Sequence, residues 1–205
     1  MKDIFINKEK ITNNELVPSD VIPKRYAVAT NILCTVNKNG SQGMLIYNSE
    51  PQISNTWYPF YSTINDFYTF KSVSYKFLIE EFHKSIITGI EKDRITPASN
   101  NFSELFGCGK IDVINLNRNE YWLKYSKSSG VWTLYLFEYY LVSKIESLSS
   151  LLKSENNTKK FMPLDDFTIQ KVLATGLYEG IPLVENIKQV LKNPEVLSKL
   201  RLNNL

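Results

Sequence analysis

Apolar and β-branched residues crowd the stretch from Tyr26 to Val36, a pattern that fits a buried strand better than a helix. Asn37-Lys38-Asn39-Gly40 follows as a turn, and Gly43-Met44-Leu45-Ile46-Tyr47 reads as the returning strand, so the spacing predicts a hairpin. Between Ser72 and Thr88 the period changes. Tyr75, Leu78, Phe82 and Ile86 recur at helical spacing, Ile79 and Ile87 widen the stripe, and Gly89 supplies a stop. Residues from about Glu91 to Gly109 read as a turn-rich region. Strands are expected again over Lys110–Leu116, Tyr121–Tyr125 and Val131–Val142, with Ser128-Ser129-Gly130 as the turn before the last. The polar stretch from Glu146 to Lys160 reads as a loop. A helix is expected from the Pro163-Leu164-Asp165-Asp166 segment through Leu173, ending near Gly176, and another from Pro182 to Leu191, with Pro in its first turn.

This succession predicts an α+β fold, a mixed sheet with helices packed on it. It also predicts an organisation of an N-terminal arm over residues 1–25, a domain over 26–192 and a helical tail over 193–205. A chain of 205 residues is long enough for one well-buried domain with extensions. The net charge of +3 is small, and Lys and Arg are interleaved with Asp and Glu, so no basic stripe marks a long nucleic acid as partner. Cys34 sits in an apolar run and Cys108 beside two glycines; their spacing matches neither a disulfide framework nor a zinc site. Met1 to Lys8 lacks the apolar core of a signal peptide, and Val131–Val142 is too short for a membrane helix and carries Glu138. The expectation is a cytoplasmic protein.

Candidate chemistry concentrates in Lys76-Phe77-Leu78-Ile79-Glu80-Glu81-Phe82-His83. Glu80 and Glu81 are adjacent carboxylates, and Glu80 with His83 forms a Glu-x-x-His pair of the kind that can ligate a metal. Lys76 and Lys84 each stand four residues from Glu80, so the same acids also fit a solvated helix face laced by ion pairs.

This stretch resembles an eroded form of the acidic helix of the Nudix family, in which an Arg-Glu-aliphatic-x-Glu-Glu-x-Gly run gathers Mg²⁺ against a nucleoside diphosphate. Lys76 stands for the Arg, Phe77 for the first Glu, Glu80 and Glu81 for the acidic pair, and His83 for the Gly. Trp57-Tyr58-Pro59-Phe60-Tyr61 is similar to the family's Trp-x-x-Pro-Gly-Gly entry without its glycines. The box's opening Gly falls on Ser62 and its upstream Glu near Tyr68. The order of hairpin, acidic helix, long strand, polar loop, Pro-Leu-Asp segment and C-terminal helix carries the likeness over roughly Tyr26 to Leu191.

What the resemblance implies follows from these departures. Phe77 puts hydrocarbon where a metal ligand belongs, leaving Glu80 and Glu81 as a vestigial metal pair with Asp66 and Glu91 as substitutes. The implied function is a nucleotide-binding sensor without hydrolysis or cofactor, similar to the SMODS-associated Nudix-like domains of bacterial anti-phage signalling, which recognise cyclic oligonucleotides. In that reading Trp57, Tyr58 and Tyr61 line the ligand site, Trp57 stacking on a base, while Lys24 and Arg25 meet phosphates. Two alternatives stand beside it: a Mg²⁺-dependent nucleotide diphosphate hydrolase with a rebuilt site, and an interaction scaffold whose helices from Pro182 to Leu202 form a homodimer or protein interface.

Overall fold

The computed structural model describes residues 4–6, 23–38, 40–48, 55–59, 61–69, 91–126, 129–203 and 205. The expected helix over Ser72–Thr88, with Lys76, Phe77, Glu80, Glu81, His83 and Lys84, lies outside the described residues. The strands are β1 (Ile4–Ile6), β2 (Arg25–Leu33), β3 (Thr35–Lys38), β4 (Ser41–Tyr47), β5 (Tyr61–Thr69), β6 (Ile111–Ser126), β7 (Val131–Ile145), β8 (Lys159–Pro163), β9 (Leu177–Tyr178) and β10 (Ile181–Pro182). The helices are α1 (Glu91–Phe106), α2 (Leu148–Lys153), α3 (Asp166–Thr175), α4 (Asn186–Lys192) and α5 (Pro194–Leu202). The chain forms two compact units, one drawn from Met1–Asn31, Ser62–Pro97 and Asn117–Glu138, the other from Ile32–Tyr61, Ala98–Leu116 and Tyr139–Leu205.

The main sheet has the strand order β1-β6-β7-β2-β5. In the first unit β1 runs antiparallel to β6, with Ile4 opposite Leu123 and Ile6 opposite Tyr121. Between β2 and β7 the Lys24 amide donates to the Trp132 carbonyl at one end, and Asn31 Nδ2 to the Glu138 carbonyl at the other. Residue numbers rise together along both strands, so this pair is parallel and the sheet is mixed. The α+β class expected from the sequence is the one found.

In the second unit β3, β4 and β8 form an antiparallel sheet, Thr35 facing Met44 and Met44 facing Met162. The β3–β4 turn is the predicted one. Gly40 takes φ +80°, which a side chain would disfavour, and its amide donates to Asn37 Oδ1 at 3.0 Å. Ile32, Cys34, Val36, Leu45, Phe102 and Phe106 belong to one buried core cluster, to which Cys108 also belongs. The last residues are tied to this unit. Asn203 Nδ2 donates to Thr35 O, Thr35 Oγ1 and Val142 O, while the Asn203 carbonyl accepts from Gln42 Nε2 and the Leu205 carbonyl from the Asn37 amide.

Three expectations are corrected. The turn-rich reading of Glu91–Gly109 gives way to α1, sixteen residues long with Pro97 inside it. Pro97 removes one backbone donor, but Ala98, Phe102 and Phe106 recur every fourth residue and bury a continuous stripe. The loop expected over Glu146–Lys160 contains α2, because Leu151 is fully buried with Leu148 and Leu152 packed beside the same core. The helix expected from Pro182 begins only at Asn186. Leu183 and Val184 are committed to strand-like bonds instead, their amides donating to Gly176 O and Trp57 O. The α3 reading holds to its caps: Asp165 accepts from the Thr168 amide at 2.8 Å, and Gly176 closes the helix at φ +73°.

Candidate ligand-binding face

Side chains alternate along a strand, so β7 sends Thr133, Tyr135 and Phe137 to one face of the first unit's sheet. Arg25 on β2 joins that face: its Nε donates to Thr133 Oγ1 at 2.7 Å and its Nη2 to Ser129 Oγ at 3.0 Å. From β6, Lys124 reaches over the same residues, its ammonium 6.0 Å from the Tyr135 ring centre and 5.4 Å from that of Phe137. Trp122 and Glu120 follow at two-residue steps, with Trp122 Nε1 3.4 Å from Glu120 Oε2.

The face is graded. Arg25, Lys124 and Tyr135 are half-buried, Ser129 is exposed, and Trp122, Phe137 and Glu120 are closed off from solvent. Two fixed cations and an aromatic ring therefore stand together at the open end. A guanidinium already oriented by two hydroxyls loses little further freedom on meeting an anion, and an ammonium over aromatic rings is attracted to their faces. Such an end can take an anion and a flat ring side by side.

The opposite face is built differently. Glu138 points there, and Arg94 of α1 grips it with Nε to Oε2 at 3.2 Å and Nη2 to Oε1 at 3.0 Å. Both side chains are largely buried, at 13% and 8% exposure. Burial also pushes the Tyr121 phenol up to about 12. Among the described residues this face is a packed interior that holds the Arg94–Glu138 pair.

Of the residues singled out from sequence, Lys24 and Arg25 belong to the first unit, and Arg25 lies on the graded face. Trp57 belongs to the second unit, where its amide donates to Pro182 O and its carbonyl accepts from the Val184 amide. At 1% exposure its indole has no open face for a base in this conformation, which makes it a packing residue. Tyr58 is half-buried beside Tyr47, with ring centres 6.0 Å apart, and Tyr61 opens β5. Asp66 lies on β5 and Glu91 at the start of α1, while Glu80 and Glu81 lie outside the described residues. Among the described residues no three His, Cys, Asp or Glu side chains gather into a metal-sized cluster. Lys124, Tyr135 and Ser129 escaped the sequence reading. Their signal was the alternation of β6 and β7 once the intervening turn is accepted, which puts Lys124 and Tyr135 on one face.

No protein-family model matches the chain, and no characterised protein matches it in sequence. Among solved structures, the crystal structure of a mutT/nudix family protein from Listeria innocua is 13% identical, with a TM-score of 0.40, covering 87% of this chain and 94% of that one. Among the described residues no helix is long and apolar enough to cross a membrane.

Proposed function

We propose that this protein binds a nucleotide without hydrolysing it, the phosphates meeting Arg25, Lys24 and Lys124 and the base lying on Tyr135. The observation that carries the reading is the open end of the graded face, where a hydroxyl-anchored guanidinium and a ring-supported ammonium flank a half-exposed tyrosine. Each charge-assisted hydrogen bond to phosphate contributes about 1.5–3 kcal/mol and a stacked base about 1–3 kcal/mol. Three or four such contacts suit micromolar affinity once the cost of association is subtracted.

Binding without turnover rests on the sequence. Phe77 replaces a carboxylate that the resembled chemistry needs, and cationic side chains neutralise phosphate without a metal. The same resemblance motivates the finer reading of a sensor of cyclic oligonucleotide signals in anti-phage defence. If the metal pair Glu80 and Glu81 works instead, Mg²⁺ would supply Lewis-acid activation of water and the protein would be a hydrolase.

Calorimetry with mono-, di- and cyclic oligonucleotides tests the reading. The wild type should bind at least one class at micromolar concentration, with Arg25→Ala, Lys124→Ala and Tyr135→Ala each weakening it about tenfold or more. Wild-type protein that binds none of them, or binding untouched by all three substitutions, overturns the assignment.

A further inference from the structure

In the second unit, the end of β4 pairs with the short segment that carries Trp57. The Tyr47 amide donates to the Tyr58 carbonyl at 2.9 Å and the Tyr58 amide to the Tyr47 carbonyl at 2.8 Å, an antiparallel bridge. The next residues along each chain, Asn48 and Trp57, therefore face each other as a pair without backbone bonds between them. Their backbones turn outward instead. The Asn48 amide donates to Thr158 O, the Trp57 amide to Pro182 O, and the Trp57 carbonyl accepts from the Val184 amide. In pairs of this kind the side chains leave the same face, with Cβ atoms about 4.5–5.5 Å apart.

Both side chains are closed off from solvent, Asn48 at 5% and Trp57 at 1% exposure. Asn48 Nδ2 donates to Asn55 Oδ1 at 3.2 Å. Asn48 Oδ1, an acceptor, and Trp57 Nε1, a donor, have no hydrogen-bond partner among the described residues, each other included. Buried polar groups are nearly always paired, because a bare one bears its full desolvation cost. Here a donor and an acceptor in that condition stand at facing positions. One occupant serves both only if it accepts from the indole N–H and donates to the amide oxygen. A bare anion has no proton for Asn48. A metal cation cannot accept from the indole, and the Lys160 ammonium, 6.0 Å from the Trp57 ring centre, would repel it. A neutral hydroxyl does both, and the closed surroundings favour the smallest one.

We propose that Asn48 and Trp57 hold one buried water molecule, which accepts from Trp57 Nε1 and donates to Asn48 Oδ1. Water in protein interiors takes this role, with two to four polar partners each. The bridge joins the end of β4 to the Trp57 segment at the one pair whose backbones bond elsewhere. The site is independent of the nucleotide reading and stands or falls without it.

The test is NMR of the full chain with ¹⁵N-labelled tryptophan. The chain has three tryptophans, and the indole signal lost in Trp57→Phe identifies the one that matters. That indole proton should show a water cross-peak with the sign of a lasting contact rather than of exchange. Asn48→Leu, close to Asn in shape, should reduce the cross-peak about threefold or more. A folded wild type without the cross-peak, or an Asn48→Leu protein that keeps it in full, overturns the proposal. If either variant fails to fold, a high-resolution crystal structure of the wild type decides. A water peak within about 3.2 Å of both Nε1 and Oδ1 supports the site. No peak, a peak that touches only one of the two atoms, or a direct bond between them overturns it.

Discussion

Removing Arg94 alone should do more harm than removing it together with its partner. Its guanidinium meets both oxygens of Glu138, whose side chain is only 8% exposed. Arg94→Met keeps most of the aliphatic volume but leaves a carboxylate in the interior without its guanidinium, a loss of about 3–5 kcal/mol. For a chain of this size each kcal/mol moves the melting temperature by about 2–4 °C, so the variant should melt about 6–20 °C below wild type. The double variant Arg94→Met, Glu138→Leu replaces the pair by apolar groups of similar bulk. It should recover most of the loss, since desolvation of two ions offsets much of their attraction. Urea denaturation followed by circular dichroism, run as a double-mutant cycle, measures both quantities. A single variant that loses less than about 1 kcal/mol, or a double variant whose loss equals the sum of the two single ones, would refute the reasoning.

Other outcomes follow from the same structure. Trp57→Ala should destabilise by about 3–5 kcal/mol on denaturant titration, because the indole is a fully packed core side chain. Incubation with Mg²⁺ or Mn²⁺ and a panel of nucleoside diphosphate derivatives should release no product above background, and turnover abolished by Glu80→Gln would favour the hydrolase reading. Asp165→Ala should cost about 1 kcal/mol at neutral pH through the lost helix cap. The folded-state value of Asp165 is lowered from 3.8, so its contribution is present above that pH and is lost as pH falls through the folded value; the gap between wild type and variant should close in acid. Gly109→Ala should destabilise measurably in a thermal melt, since the residue sits at φ +68° and a Cβ would come within 2.7 Å of the Glu146 carboxylate.

What could be read from sequence was governed by how local the determining interactions are. The β3–β4 turn and the caps of α3 depend on residues within four positions of one another, so Asn37, Gly40, Asp165 and Gly176 announced them. The helix α1 was hidden because Pro97 and the Ser-Asn run around Asn100 are breakers by local preference, while its stability comes from burying Ala98, Phe102 and Phe106 in a core made by distant strands. Leu183 and Val184 read as helix in the sequence because what fixes them as strand-like lies elsewhere, Val184 bonding to Trp57, remote in sequence, and Leu183 to Gly176. The candidate face was half legible. Arg25 stood out as a basic residue before a strand, but its orientation depends on Thr133 and Ser129 more than a hundred residues away.

The anchoring of Asn203 bears on how the chain folds as it is made. Its amide bridges Thr35 and Val142, positions separated from it by 168 and 61 residues. The β3 backbone thus finds part of its hydrogen bonding only in residues translated near the other end of the sequence. Contacts of such separation slow folding, because loop closure must precede any gain from them. During synthesis the second unit lacks these bonds until Asn203 has left the ribosome. A product truncated before that point would leave the Thr35 and Val142 carbonyls without this amide. It should be recognised by chaperones and proteases as incomplete, although all of β2 to α4 is present.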